Sequence, residues 1–194
     1  MDAPVELIVG LGNPGSTYHR TRHNAGADFV LALANSCNVV IKPEAKFFGG
    51  TALLQLEGQT LRLLIPSTFM NLSGKSVAAI AGFYKIPTSR ILIAHDELDL
   101  SPGTARFKKG GGHGGHNGLR DTVQCLGNSK EFARLRIGIG HPGNAKQVAD
   151  YVLKKAPAKE QELIGHSMDD AMRSLPLAVS GQWEKAMTAL HSTE

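Results

Sequence analysis

Three short apolar runs, Leu7-Ile8-Val9, Arg90 to Ala94 and Leu135 to Ile139, each give way quickly to glycine or polar residues. Runs this short and this apolar suit strands buried on both faces of a sheet. Between them lie segments of helical spacing. Asn24 to Ala34 carries Ala27, Val30, Leu31 and Ala34 on one stripe, and Ser73 to Tyr84 is stopped by Ile86-Pro87. Asn117 to Leu126 and Ala145 to Lys155 read as helices too, and the tail from Lys159 to His191 is largely helical by its periodicity. Thr51 to Leu56 and Leu61 to Ile65 read as strands joined in a hairpin through Glu57-Gly58-Gln59. Thr104 to Lys108 reads as a strand before a glycine-rich loop, Gly110 to Gly115. Strands alternating with helices, with one hairpin, predict an α/β fold: a single three-layer domain over residues 1–194, with helices flanking a mixed central sheet. The chain carries no internal repeat and no linker long enough to divide it.

Composition removes several classes. At 42% hydrophobic and 20% charged residues the chain has the make-up of a globular protein rather than a disordered one. No run approaches the roughly 18 apolar residues that a membrane span needs. Met1-Asp2-Ala3-Pro4 leads straight into a short apolar run, without the regions of a signal peptide. Cys37 and Cys125 stand outside any CxxC or CxxH pattern, so neither a disulfide framework nor a zinc knuckle is supported. The expected location is the cytoplasm. The formal charge is only +4, but Thr104 to Arg136 holds seven basic residues against two acids, a local net of +5. From Lys154 onward the net is −1. A basic stretch on a near-neutral remainder suits a polyanion footprint, and equally a solvated charged face.

Gly10-Leu11-Gly12-Asn13-Pro14-Gly15 fits the letters of GxGxxG after a strand. A dinucleotide site would need a helix opening at the third glycine and an acid about 20 residues on, at a strand end. Here Pro14 stiffens the loop, Ser16 to Arg22 intervenes, and Asp28 sits inside the predicted helix. A tight turn presenting Asn13 fits better. His19 and His23 are four apart, and His113 and His116 three apart. Zinc sites take three or more ligands with a defined second shell, and His113 lies among glycines, so no metal is expected. There is no Gly-x-Ser-x-Gly elbow, and neither cysteine sits in an activating motif. What remains is a polar set at strand ends and loop edges: Asn13, His23, Asn71, Asp96, His116 and Asn117. Asn13 and Asp96 are each placed just past a buried strand, where open α/β sheets form their crevices. A His oriented by an Asp can act as general base on water, and amides can stabilise developing charge. By spacing alone, the same residues serve equally well as turn and cap residues.

The wording of the segments narrows this. Val9 to Gly15, then Tyr18 and Thr21-Arg22-His23-Asn24-Ala25-Gly26, resembles the N-terminal signature of bacterial peptidyl-tRNA hydrolases. Four further blocks are similar to that family's and come in its order: Pro66 to Gly74, His95 to Asp99, Gly110 to Leu119, and Arg134 to Pro142. Together they cover most of the chain from Val5 to Leu153.

The resemblance implies an enzyme that hydrolyses the ester between a peptide and the 3′-terminal ribose of tRNA, recycling the tRNA. It makes His23 the base that activates water, and gives Asp96 the task of holding the imidazole in its basic form. Asn13 would distinguish blocked peptidyl esters from free aminoacyl esters by offering its carboxamide oxygen to the substrate amide. Tyr18, Phe69, Asn71 and Asn117 would contact the 3′ end and peptide, and His116 would line the cleft. Arg106, Lys108 and Arg136 are candidates to grip tRNA phosphates, and the glycines of 110–115 would let that loop move over the site. The resemblance implies no cofactor, no metal, no membrane and no obligate protein partner. It implies a monomer whose partner is the acceptor end and CCA of peptidyl-tRNA. His113 and the tail after Ala156 carry no assignment. An RNA-binding module without hydrolytic activity is the alternative, with a nucleotide-dependent oxidoreductase behind it.

Overall fold

The computed structural model describes residues 2–192; residues 1, 193 and 194 of the expected domain lie outside them. Seven strands form one sheet: β1 (Leu7–Gly10), β2 (Lys42–Glu44), β3 (Gly49–Leu56), β4 (Gln59–Pro66), β5 (Ile91–Glu97), β6 (Ala105–Lys109) and β7 (Ala133–Gly138). Their order is β2-β3-β4-β1-β5-β7-β6. The four inner strands β4, β1, β5 and β7 run parallel, while β2, β3 and β6 pair antiparallel at the two sides.

Period-2 alternation sends successive side chains of the inner strands into two separate cores. Ile8, Leu92 and Ala94 join a cluster with Phe29, Val30 and Leu33 of α1 (Ala25–Ser36), Leu175 of α5 (Ala158–Val179) and Trp183 of α6 (Trp183–His191). Leu7, Val9, Ile91 and Ile93 join the other, with Val77 and Ile80 of α2 (Ser73–Phe83) and Leu119 and Val123 of α3 (Asn117–Cys125). Helices thus cover both faces, giving the three layers expected. Phe29 is wholly buried, and truncating such a residue to Ala costs about 3–5 kcal/mol.

Several boundaries differ from the sequence reading. β2 is an extra strand, three residues with Pro43 at its centre. Proline is tolerated there because the strand lies at the sheet edge. His95 and Asp96 are not past their strand but inside it, because pairing continues through His95↔Arg136 and Asp96↔Ile137. The helix expected over Ala145 to Lys155 shrinks to α4 (Val148–Val152) after a 3-10 turn, Ala145–Gln147. The helical tail breaks at Gly181 (φ 81°), where a side chain would strike the Asp2 carbonyl.

The chain leaves β1 toward β4 on one side, and leaves β5 toward β7 on the other. This reversal opens a crevice at the carboxyl ends of the parallel strands. Gly10 and Gly26 let α1 start against that edge. A Cβ on Gly26 would lie 2.1 Å from the Ala94 carbonyl oxygen, and one on Gly10 would lie 2.4 Å from that of Gly26. Only bare backbone permits this approach, and it sets the 3-10 turn Arg22–Asn24, just before α1, beside the end of β5.

Candidate active site

At the centre of the crevice Asp96, 4% exposed, holds two imidazoles. His23 Nδ1 lies 3.0 and 2.9 Å from its two carboxylate oxygens, and His116 Nε2 lies 2.7 Å from Oδ1. The rings of His23 and His116 are 4.9 Å apart. His116 is also the N-cap of α3, its Nδ1 accepting from the Gly118 and Leu119 amides at 3.1 and 3.3 Å. Backbone N–H groups can only donate, so Nδ1 of His116 is bare and Nε2 carries the proton given to Asp96. Both His116 nitrogens are therefore committed. His23 donates Nδ1–H to the same carboxylate and keeps the Nε2 lone pair.

Burial alone would lower the pKa of His23, but the Asp96 charge and hydrogen bond outweigh it and raise the value above that of an ordinary imidazole. Burial pushes Asp96 the other way, toward the neutral acid, yet the two imidazoles hold it well below the usual carboxylate range. His95, its neighbour in β5, donates Nδ1–H to the Asp96 carbonyl at 2.9 Å and buries Nε2 without a partner. Burial, and then the nearby His116, push its pKa down to about 3.

His23, Asp96 and His116 also present three ligand atoms within 4.8 Å of one another, enough to raise the question of a metal. A ligating histidine normally donates its second ring N–H to an outer-shell acceptor. His116 instead accepts two backbone N–H groups there. The donor set fits a hydrogen-bonded dyad better than a metal centre. His19 and His113 lie outside this cluster.

Seven of the eleven expected site residues line one of two hollows. A cleft of about 580 Å³ is lined by His23, Asp96, His116, Asn117, Lys108 and Arg136, among others. A smaller hollow, about 290 Å³, is lined by Asn13, Asn24 and Pro14. Tyr18 and Phe69 pack edge to face at 6.3 Å, with Phe69 54% exposed, and Asn71 is exposed nearby in the turn Met70–Leu72. None of these three lines either hollow.

The Asn13 Oδ1 accepts the Met70 amide at 2.7 Å, which takes one of its two lone pairs. The uncommitted half of the carboxamide is the Nδ2 donor. The backbone of Asn13 is held by Asn24, whose Oδ1 accepts from Asn13 N at 2.8 Å and whose Nδ2 donates to Asn13 O at 2.9 Å.

On the basic side, Arg106 faces Arg136 and Lys108 faces Arg134 across the β6–β7 ladder. Like charges so placed repel unless something neutralises them. Glu97 takes Arg136 Nε at 2.8 Å, while the Arg134 guanidinium donates to the Gly111 and Gly112 carbonyls. The glycine-rich loop is thus tethered at one end rather than wholly free.

A profile of the peptidyl-tRNA hydrolase family matches residues 7–194. The chain is 60% identical to the peptidyl-tRNA hydrolase of Vibrio parahaemolyticus, over 99% of this chain and 98% of that one. It is equally identical to that of Teredinibacter turnerae, over 99% and 100%. The chain belongs to the peptidyl-tRNA hydrolase family. It is accordingly an enzyme, a hydrolase. The crystal structure of the Acinetobacter baumannii peptidyl-tRNA hydrolase superposes with a TM-score of 0.93 at 51% identity, covering 96% of this chain and 94% of that one. Among the described residues no helix is long and apolar enough to cross a membrane.

Sequence reasoning left four residues of this family member without a role: Asn24, Glu97, Arg134 and His95. All four stood inside the quoted blocks, Asn24 and His95 next to His23 and Asp96. What Glu97 and Arg134 bind follows from the β5–β7–β6 pairing, which brings acid and bases together.

Proposed function

We propose that this chain hydrolyses the ester between a peptide and the 3′-terminal ribose of tRNA, with His23 as general base. The observation that carries the reading is the Asp96 carboxylate gripping His23 Nδ1, which leaves only Nε2 to take a proton. Water attacks the ester carbonyl carbon as Nε2 removes its proton. The tetrahedral oxyanion collapses, the bond to the ribose 3′ oxygen breaks, and that oxygen receives the proton back from His23. Base assistance of this kind is worth about 10²–10⁴ in rate, and one oxyanion donor about 10²–10³. Asn117 uses its Oδ1 on Arg120 at 3.0 Å, which leaves Nδ2 as a donor for the developing charge. Asn71, Tyr18 and Phe69 line the approach of the 3′ end and peptide.

Asn13 Nδ2 distinguishes the substrates. A blocked aminoacyl ester carries an acyl carbonyl that can accept from Nδ2, whereas a free one carries an ammonium that cannot. Burying that cation beside a donor is costly. Lys108, Arg106 and Arg136 hold phosphates of the acceptor arm, which gives affinity without base readout. The chain acts as one catalytic domain, a monomer in the cytoplasm, without cofactor, metal or obligate protein partner.

The test is release of N-acetyl-amino acid from N-acetyl-aminoacyl-tRNA with EDTA present, beside the unblocked aminoacyl-tRNA. Cleavage of the blocked ester alone supports the reading. Tight tRNA binding without cleavage would favour the RNA-binding alternative.

A further inference from the structure

The base sits on a three-residue 3-10 turn, Arg22–Asn24, that leads directly into α1. On one side Asn24 ties the turn to Asn13. The other side is tied across the molecule. Arg22 N donates to the Lys154 carbonyl at 3.0 Å, and Thr21 bridges Lys155 in antiparallel fashion. The Arg22 guanidinium stacks 3.7 Å from the Tyr151 ring centroid and donates Nη1–H to the Tyr151 carbonyl at 2.9 Å. Tyr151 is fixed in turn, its hydroxyl donating to the Ile139 carbonyl at 2.7 Å just past β7.

This is a poor way to gain stability alone. The Arg22 side chain is only 9% exposed, its Nε is buried without a partner, and Glu160 stands 3.8 Å from Nη2, too far for a hydrogen bond. A buried cation satisfied only in part is costly. What the arrangement does supply is a rigid planar fork seated on an aromatic face, one residue before the imidazole.

The geometry points to Arg22 as a positioning residue that, through Tyr151 and Lys154, keeps the His23 imidazole seated on Asp96. Arg22 touches no reacting atom; it fixes the backbone from which His23 reaches the carboxylate. The inference rests on His23 being the base. A displacement of about 1 Å at a catalytic group can cost about 10²-fold in rate, so a looser anchor shows in turnover rather than in substrate binding.

The experiment compares wild type with Arg22→Lys, which keeps the charge but not the fork, and with Tyr151→Leu, which removes the stacked face. The kcat and KM for N-acetyl-aminoacyl-tRNA are measured, and His23 is titrated by NMR on histidine-labelled protein. Both variants should lose about tenfold or more in kcat with KM within about twofold. The His23 midpoint should fall, because the imidazole no longer rests firmly against Asp96. Unchanged kcat with an unmoved His23 midpoint would overturn the inference, as would a rise in KM alone, which would make Arg22 a phosphate contact. Should His23→Ala stay active, the base assignment fails separately. The NMR midpoint still reports whether Arg22 seats the ring.

Discussion

His116 gives its only ring proton to Asp96, at 2.7 Å, while its other nitrogen caps α3. The carboxylate is thereby held by a second imidazole beside His23, and α3 is bolted to β5 by the same ring. One histidine holds the acid, and the other is held by it.

Replacing Asp96 by Asn removes the charge that raises His23 while leaving the burial that lowers it. In the wild type, His23 must be deprotonated to act. The ascending limb of kcat/KM against pH should therefore have its midpoint above about 6.5, the ordinary imidazole value. In Asp96→Asn that midpoint should move below the wild-type one. The amide also permits the wrong tautomer, and kcat should fall by about 10²-fold or more. The check is a pH–rate profile of both proteins on N-acetyl-aminoacyl-tRNA.

In Asn13→Asp one oxygen can still accept the Met70 amide, and the other puts a carboxylate where the Nδ2 donor stood. That group repels an acyl carbonyl and attracts an ammonium. The ratio of kcat/KM for blocked over unblocked aminoacyl-tRNA should drop by about tenfold or more, equivalent to about 1.4 kcal/mol. Parallel assays on the two esters measure it, and an unchanged ratio counts against Asn13 as the discriminating group.

Lys108 lines the larger cleft beside Arg136, whose Nε is held by Glu97. Lys108→Ala should raise KM for the tRNA ester several-fold with little change in kcat, and should flatten the dependence of KM on salt by about one phosphate contact. Glu97→Gln leaves Arg136 unneutralised opposite Arg106 and should lower the melting temperature. KM titrations across salt concentrations, with thermal melts, test both.

His95 has its pKa pushed down to about 3 by burial and by its histidine neighbour. The unfolded chain, with an ordinary imidazole near about 6.5, binds one more proton than the folded chain between these values. Stability should therefore fall as pH is lowered through this window, by up to about 1.4 kcal/mol per pH unit from this group. Urea unfolding at several pH values should show a shallower acid slope for His95→Gln than for the wild type.

Much of this was legible in the chain. The inner strands announced themselves because they are buried on both faces, and the blocks around His23 and Asp96 drew attention to the two groups that meet. The end of β5 was misread because His95 and Asp96 look like loop residues, and only pairing with Arg136 and Ile137 keeps them in the strand. β2 was invisible because Pro43 and two charged residues carry no strand pattern. The contact of the Asn13 oxygen with a backbone amide, Met70 N, was not legible, because no sequence motif records which half of a side-chain amide a backbone group will take. The hold of Arg22 on Tyr151 spans 129 positions and belongs to packing alone.

The central claim is that, of two imidazoles on one carboxylate, only His23 takes the proton from water. Asparagine at 116 can still accept from the α3 amides, though its side chain ends short of Asp96, whereas asparagine at 23 can donate to Asp96 but offers no base. Single-turnover cleavage of N-acetyl-aminoacyl-tRNA, with folding checked by thermal melts, should show His116→Asn within about tenfold of wild type and His23→Asn reduced by about 10²–10⁴. Near-wild-type cleavage by His23→Asn, or an equal loss in His116→Asn, would contradict it.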